Sequence, residues 1–124
     1  MEVARKVMVL DGDIMDVMKA EKYLTSGGYE VVTLTTPNGA LSKIDYERPE
    51  ILLLEYEMPR LNVADLLETL RSNEDFDDLV IVLYSDMDAD RLQKICIDNE
   101  LNGYYCKSMD VTKIAGFLDK FYEP

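Results

Sequence analysis

Pro49-Glu50-Ile51-Leu52-Leu53-Leu54-Glu55-Tyr56-Glu57-Met58-Pro59 decides how the rest of this 124-residue chain is read. Four aliphatic residues run unbroken into an acid, a second acid follows two positions later, and prolines bound the run. A half-exposed strand alternates apolar and polar residues, whereas a strand buried on both faces reads as a continuous aliphatic run, as central strands of parallel sheets do. The spacing predicts a strand over Pro49–Glu55 with Glu55 at its carboxyl end. Open α/β sheets bind ligands and do chemistry at that end of their strands.

The same logic extends outward. Lys6–Asp11 reads as a first strand through Val7, Met8, Val9 and Leu10, and it also ends on an acid. Asp13 is placed to cap a helix with Ile14, Val17, Met18 and Leu24 on its apolar face and Asp16 in its first turn; Gly27-Gly28 stops it. Tyr29–Thr35 has the β-branched and aromatic content of a second strand. Pro37-Asn38-Gly39 then turns into a short helix with Ala40, Leu41 and Ile44 inward.

Beyond the Pro49–Glu55 strand, the loop Tyr56–Leu61 leads to Asn62, a cap for a helix burying Val63, Leu66, Leu67 and Leu70. Asn73–Asp78 reads as a polar, acidic connection, and Leu79–Leu83 as another aliphatic strand. Asp86 or Asp88 caps a helix with Leu92, Ile95 and Cys96 inward. After Gly103, Tyr104, Tyr105 and Cys106 form a short fifth strand ending at Lys107. Asp110 opens a last helix carrying Val111, Ile114, Phe117, Leu118 and Phe121.

Five strands alternating with five helices imply right-handed crossovers and a doubly wound α/β domain with a five-stranded parallel sheet, a flavodoxin-like (βα)5 arrangement. For the common strand order 2-1-3-4-5 the switch point lies between the first and third strands, so Asp11, Asp13 and Glu55 meet in one crevice. Tyr84, Ser85 and Lys107 end the fourth and fifth strands on the same rim. Crowded carboxylates demand a counter-charge, either an ammonium or a divalent cation. Lys107 supplies the first; Asp11, Asp13, Glu55 and Glu57 are the candidate ligands for the second. Read without a site, Asp11 and Asp13 cap the first helix, Glu55 faces water and Lys107 pairs for solubility.

Composition narrows the function. One domain over residues 1–124 is long enough for a full core, with 48% hydrophobic and 31% charged residues. Thirteen basic against twenty-five acidic residues give a net charge of -12 and no basic footprint for nucleic acid. No apolar run approaches membrane-spanning length and no signal-peptide pattern opens the chain, so a cytoplasmic protein is expected. Cys96 and Cys106, with no His in the chain, read as reduced core cysteines and offer no metal-ligand spacing.

VMVLDGD at the first strand, PEILLLEYEMP at the third, VIVLYS at the fourth and NGYYCKS at the fifth together resemble the response-regulator receiver family, the CheY-like phosphoacceptor domains, over the whole chain. In that family two adjacent acids after the first strand help hold magnesium, an aspartate ending the third strand accepts a phosphoryl group, a Ser or Thr ends the fourth, and a lysine ends the fifth. Asp11 matches the first acid and Lys107 the lysine. Gly12 stands where the second acid belongs, Glu55 at the phosphoacceptor position, and Tyr84, with Ser85 beside it, at the hydroxyl switch position. Ser108 replaces the usual proline after the lysine, and Asn62-Val63 the usual Asp-Gly beyond Met58-Pro59. Tyr104 matches the aromatic switch position.

The resemblance therefore implies a two-component signalling receiver, not an enzyme. Its eroded phosphorylation site points to a pseudo-receiver that binds protein partners independently of phosphorylation, with magnesium weak or absent and no other cofactor. A displacement of about 1 Å costs on the order of a hundredfold in rate, and Glu55 adds a methylene to the nucleophile. Partners are expected on the face of the fourth helix, fifth strand and fifth helix, with Tyr84 and Tyr105 enlarging its aromatic surface; a homodimer would be sought there too. Two alternatives stand beside this reading. Glu55 with magnesium accepts phosphate and the regulator is active, with Asp13 replacing the missing ligand; or Asp11 and Asp13 act as nucleophile and general acid of a haloacid-dehalogenase-like phosphatase. A flavin domain of like topology lacks the phosphate-cradling donors after its first strand.

Overall fold

A computed structural model describes residues 5–36 and 38–122. Five strands, β1 (Arg5–Leu10), β2 (Tyr29–Leu34), β3 (Ile51–Leu54), β4 (Val80–Ser85) and β5 (Gly103–Cys106), alternate with five helices, α1 (Ile14–Ser26), α2 (Ala40–Glu47), α3 (Val63–Ser72), α4 (Ala89–Asp98) and α5 (Ile114–Asp119). All strand pairs are parallel, and their order is β2-β1-β3-β4-β5. The doubly wound (βα)5 architecture expected from the aliphatic runs is therefore observed, with its switch point between β1 and β3.

Alternate residues of the central strands feed two cores. Met8, Leu10, Leu52, Leu54, Ile81 and Leu83 face α2, α3 and α4, where Ile44, Leu67, Leu70 and Leu92 meet them. Val7, Val9, Ile51, Leu53, Val82 and Tyr84 face the other way, onto Val17, Ala20 and Leu24 of α1 and Ile114 and Leu118 of α5. Burial on both sides is what an unbroken aliphatic run provides for.

The helix starts follow their capping residues. Asp13 accepts from the Met15 and Asp16 backbone N–H groups, Asn62 from Asp65, and Asp88, the cap of the two candidates, from Arg91. Gly28, at φ 95°, takes the left-handed turn that ends α1. Pro37 of the expected Pro37-Asn38-Gly39 turn lies outside the described residues, and Gly39 precedes α2 at φ 73°.

Several local expectations are corrected. Ile14 and Met18 are exposed, because the buried stripe of α1 runs through Val17, Ala20 and Leu24. Leu41 is also exposed, leaving Ala40 and Ile44 to anchor α2. The Asn73–Asp78 connection holds a 3-10 turn, Glu74–Phe76, whose Phe76 is buried beneath the Arg48 guanidinium, 5.0 Å from the ring centroid. Asp110 opens a 3-10 turn, Val111–Lys113, before the short α5, and a further 3-10 turn follows at Lys120–Tyr122.

Candidate functional site

The sheet ladder continues one residue past the strands and fixes three site residues by their backbones. Asp11 N–H donates to Leu34 O, Glu55 N–H to Leu10 O and Lys107 N–H to Ser85 O, at 3.2, 2.9 and 2.8 Å. Asp11 and Glu55 thus end adjacent strands at the switch point, while Lys107 reaches them from β5. Its ammonium lies 2.8 Å from Asp11 Oδ2, 2.8 Å from Asp16 Oδ2 and 3.1 Å from Glu55 Oε1. The Lys107 and Asp11 side chains are only 6% and 2% exposed.

The contact with Glu55 is a hydrogen bond, whereas Asp11 Oδ2 has no described donor at a hydrogen-bonding angle. The 2.8 Å approach of Lys107 to that oxygen is accordingly charge against charge. The remaining oxygens are committed locally: Asp11 Oδ1 accepts from Asp13 N–H and Glu55 Oε2 from Glu57 N–H.

Electrostatics follow from this crowding. Burial pushes the Asp11 carboxyl above its ordinary value, more than the Lys107 ammonium and the Asp13 N–H lower it. Burial alone would depress Lys107, but the carboxylates of Asp11, Asp16 and Glu55 outweigh it and hold the ammonium above its usual range. Three carboxylates around one ammonium leave the cluster net negative. Tyr84, whose ring centroid is 5.5 Å from Lys107 Nζ, is pushed up to about 12 by burial and then by the charge of Asp16.

The site residues inferred from sequence divide clearly. Asp11, Glu55 and Lys107 meet. Asp13 borders the same crevice of about 680 Å³, as do Gly12, Asp16, Glu57, Arg60 and Asp86, but its carboxylate caps α1 and does not join the Lys107 cluster. Tyr84 and Ser85 are buried and do not line the crevice. Ser85 Oγ accepts from Met87 N–H instead, and Tyr84 packs toward α1 and α5 with its ring 6.4 Å from that of Tyr105. Tyr84 and Tyr105 therefore do not enlarge an outer aromatic surface; half-buried Tyr104 packs with the opposite core. Asp16 is the member that sequence reasoning missed. Its position in the first turn of α1 had a sufficient local explanation as a helix-dipole acid.

Magnesium, which the resemblance implies, would have to find oxygen ligands here. Asp11 Oδ2 and Glu55 Oε1 already face the Lys107 ammonium, which leaves the carboxylates of Asp13 and Glu57 on the border of the same crevice. Gly12 brings no ligand, and among the described residues no three acidic, His or Cys side chains converge as metal ligands do. Magnesium demands near-octahedral oxygen coordination, and these residues fit it poorly. As arranged, the cluster holds charge in a fixed geometry and ties three strand ends to the first turn of α1.

The model of the response regulator receiver domain family matches residues 7–119. The chain belongs to this family. It is 26% identical over 114 residues to protein RcaC of Microchaete diplosiphon, covering 92% of this chain and 18% of that protein. It is 24% identical over 88 residues to the alkaline phosphatase synthesis transcriptional regulatory protein PhoP of Bacillus subtilis, covering 71% of this chain and 37% of that protein. The receiver chain thus spans well under half the length of either relative. Solved structures share the fold: chemotaxis protein CheY4 of Vibrio cholerae superposes with a TM-score of 0.84 at 18% identity, over 95% of this chain and 98% of that one. A response regulator receiver protein from Pseudomonas putida does so at 0.80 and 20%, over 97% and 99%. The haloacid-dehalogenase reading finds no support in these findings, and Asp13 serves as the cap of α1.

Proposed function

We propose that this receiver domain works as a protein-interaction module of two-component signalling without being phosphorylated. The observation that carries the reading is the state of Lys107. Its ammonium is shared among Asp11, Asp16 and Glu55, in a rim where Gly12 replaces a ligand and Glu55 stands at the acceptor position. Phosphoryl transfer relies on positioning and on neutralising the charge of the transferring group. Here the cation is spent on carboxylates, the metal ligands are short by one, and the acceptor carboxylate is displaced by a methylene. Catalysis is not needed for the proposed role, which is to present a fixed surface.

The face built from α4, β5 and α5 is where a signalling partner would bind on this reading. Support comes from the half-buried Tyr104 on β5, the edge strand of the sheet. Incubation with acetyl phosphate and magnesium followed by intact-mass measurement tests the first part, with an unmodified chain expected and stable modification at Glu55 sufficient to overturn it. Partner capture that is lost in Tyr104→Ala and kept in Glu55→Asp tests the second.

One observation favours an active regulator as the second reading: Asp11 Oδ2 is a buried oxygen without a hydrogen bond at the edge of an open crevice. Tight magnesium binding that disappears in Asp11→Ala would select it.

A further inference from the structure

A second hollow lies at the end of the sheet away from the acid rim. It sits beneath the amino ends of β3 and β4, where Ile51 pairs with Val80, and its volume is about 330 Å³. Ile44, Phe76 and Leu79 line it from one core, Ile51, Val80 and Phe121 from the other. Small-molecule sites are mostly apolar hollows of roughly 300–1,000 Å³ with a few placed polar groups. At the lower end of that range, this pocket suits a body the size of a single ring.

Its unspent polar atoms are of one kind. Glu50, Asp75 and Asp78 border the pocket, and among the described residues none of the three has an ion-pair partner. Glu50 Oε1 accepts from the Tyr122 hydroxyl at 2.9 Å and from Lys6 N–H at 3.4 Å, while Glu50 Oε2 has no described donor. The neighbouring cations are committed elsewhere. Arg48, the cation in the described lining, is paired with Asp45, donates to the Asp75 backbone O and covers the Phe76 ring. Lys6 is paired with Glu47, and Arg5 with Asp119 and the Tyr122 ring, 4.1 Å from its centroid.

An apolar floor under unpaired carboxylates selects an apolar body with a positive head, whereas an anion would meet three like charges on a chain of net charge -12. We infer that this pocket binds a small aromatic amine, its ammonium among Glu50, Asp75 and Asp78 and its ring on Ile51, Val80 and Phe121. Ring against ring adds to the area buried, and a linear lysine-like stem has no face to offer Phe121. The pocket shares no described residue with the crevice of the acid rim, so the inference is independent of whether Glu55 accepts phosphate.

Amide and methyl NMR spectra of the chain titrated with phenethylamine at neutral pH test it. Saturable shifts are expected at Ile44, Ile51, Leu79 and Val80, half-complete at or below about 1 mM. Phenethyl alcohol, the ring without the charge, and n-butylamine, the charge without the ring, should bind at least about tenfold more weakly. Glu50→Gln and Asp78→Asn should each weaken the amine about two- to fivefold and leave the alcohol unchanged; Glu68→Gln, which removes an equal charge outside the pocket, should alter neither. The spectrum of each variant verifies its fold. Unmoved signals at the four positions up to about 10 mM amine overturn the inference. Shifts confined to the crevice around Asp11 and Glu55, or a Glu68→Gln effect equal to that of Asp78→Asn, overturn it by reducing the binding to general attraction toward an acidic chain. Alcohol that matches the amine removes the role of the carboxylates and overturns it equally, and butylamine that matches it overturns it by leaving the pocket to a lysine side chain of another protein.

Discussion

Lys107→Met removes the one cation from the carboxylate cluster while keeping most of the side chain's volume. Asp11 then stays buried with no opposing charge, and Glu55 keeps only its Glu57 N–H hydrogen bond. Breaking a buried ion pair by removing one partner costs about 3–5 kcal/mol. Asp16 is 23% exposed and can turn toward water, so the lower end, about 3 kcal/mol, is expected here. Against a total stability of about 5–15 kcal/mol for a domain of this size, that loss is large.

The deficit also has a pH signature. Burial already raises Asp11 above its reference value of 3.8, and loss of the ammonium removes the strongest influence lowering it. A carboxyl with a raised folded pKa binds more protons folded than unfolded. Its relative stabilisation is complete below 3.8 and is lost as pH climbs through the folded value. Lys107 in the wild type has the opposite window: its contribution is complete below 10.5 and lost only as pH rises through its elevated folded value. Between about pH 5 and 8, therefore, the titration that matters belongs to Asp11 in the variant. Urea denaturation followed by circular dichroism should show the full deficit at about pH 7.5 and a smaller one at about pH 5. A loss under about 1 kcal/mol at neutral pH, as for a surface pair, or a deficit that grows on acidification, would show that Lys107 does not hold a buried Asp11 carboxylate in this way.

Three further predictions follow from local geometry. A Cβ at Gly12 would meet only Met58 Cε at 3.9 Å and Thr35 O at 4.0 Å, so Gly12→Asp fits without strain. Combined with Glu55→Asp it should confer magnesium binding, measured by calorimetry, and slow labelling by acetyl phosphate, neither of which the wild type is expected to show. A Cβ at Gly27 would lie 2.3 Å from the Ala115 Cβ, so Gly27→Ala should cost about 1–3 kcal/mol in urea denaturation, with partial recovery in Gly27→Ala/Ala115→Gly. Burial pushes the Cys96 thiol up to about 11, so native protein at about pH 8 should resist alkylation there until unfolded.

Much of the fold was legible because its central strands are buried on both faces. Val7–Leu10, Ile51–Leu54 and Val80–Leu83 have no polar side to hide, and each announces itself without alternation. Helices were less transparent. Apolar Ile14 and Met18 competed with Ala20 for the face of α1, and side-chain size alone does not reveal that the sheet takes the smaller residue. Phe76 was hidden in an acidic string, where a single aromatic anchor leaves no periodic trace. Within the site, backbone position set Asp11, Glu55 and Lys107, and strand order alone brought them together. Asp16 required knowing that the Lys107 side chain reaches from the end of β5 to the first turn of α1, a tertiary fact that the chain order does not carry. Tyr84 and Tyr105 looked like surface aromatics until strand parity turned both toward α1 and α5.

On the proposed reading, the acid rim is a closed ionic cluster and not a phosphoryl-accepting site. The most direct measurement is the amide NMR spectrum of the wild-type chain titrated with magnesium and beryllium fluoride, which mimics a bound phosphoryl group on a carboxylate. The amides of Glu55, Glu57, Ser85 and Lys107 are expected to stay where they are. Saturable shifts at these four positions would contradict that reading.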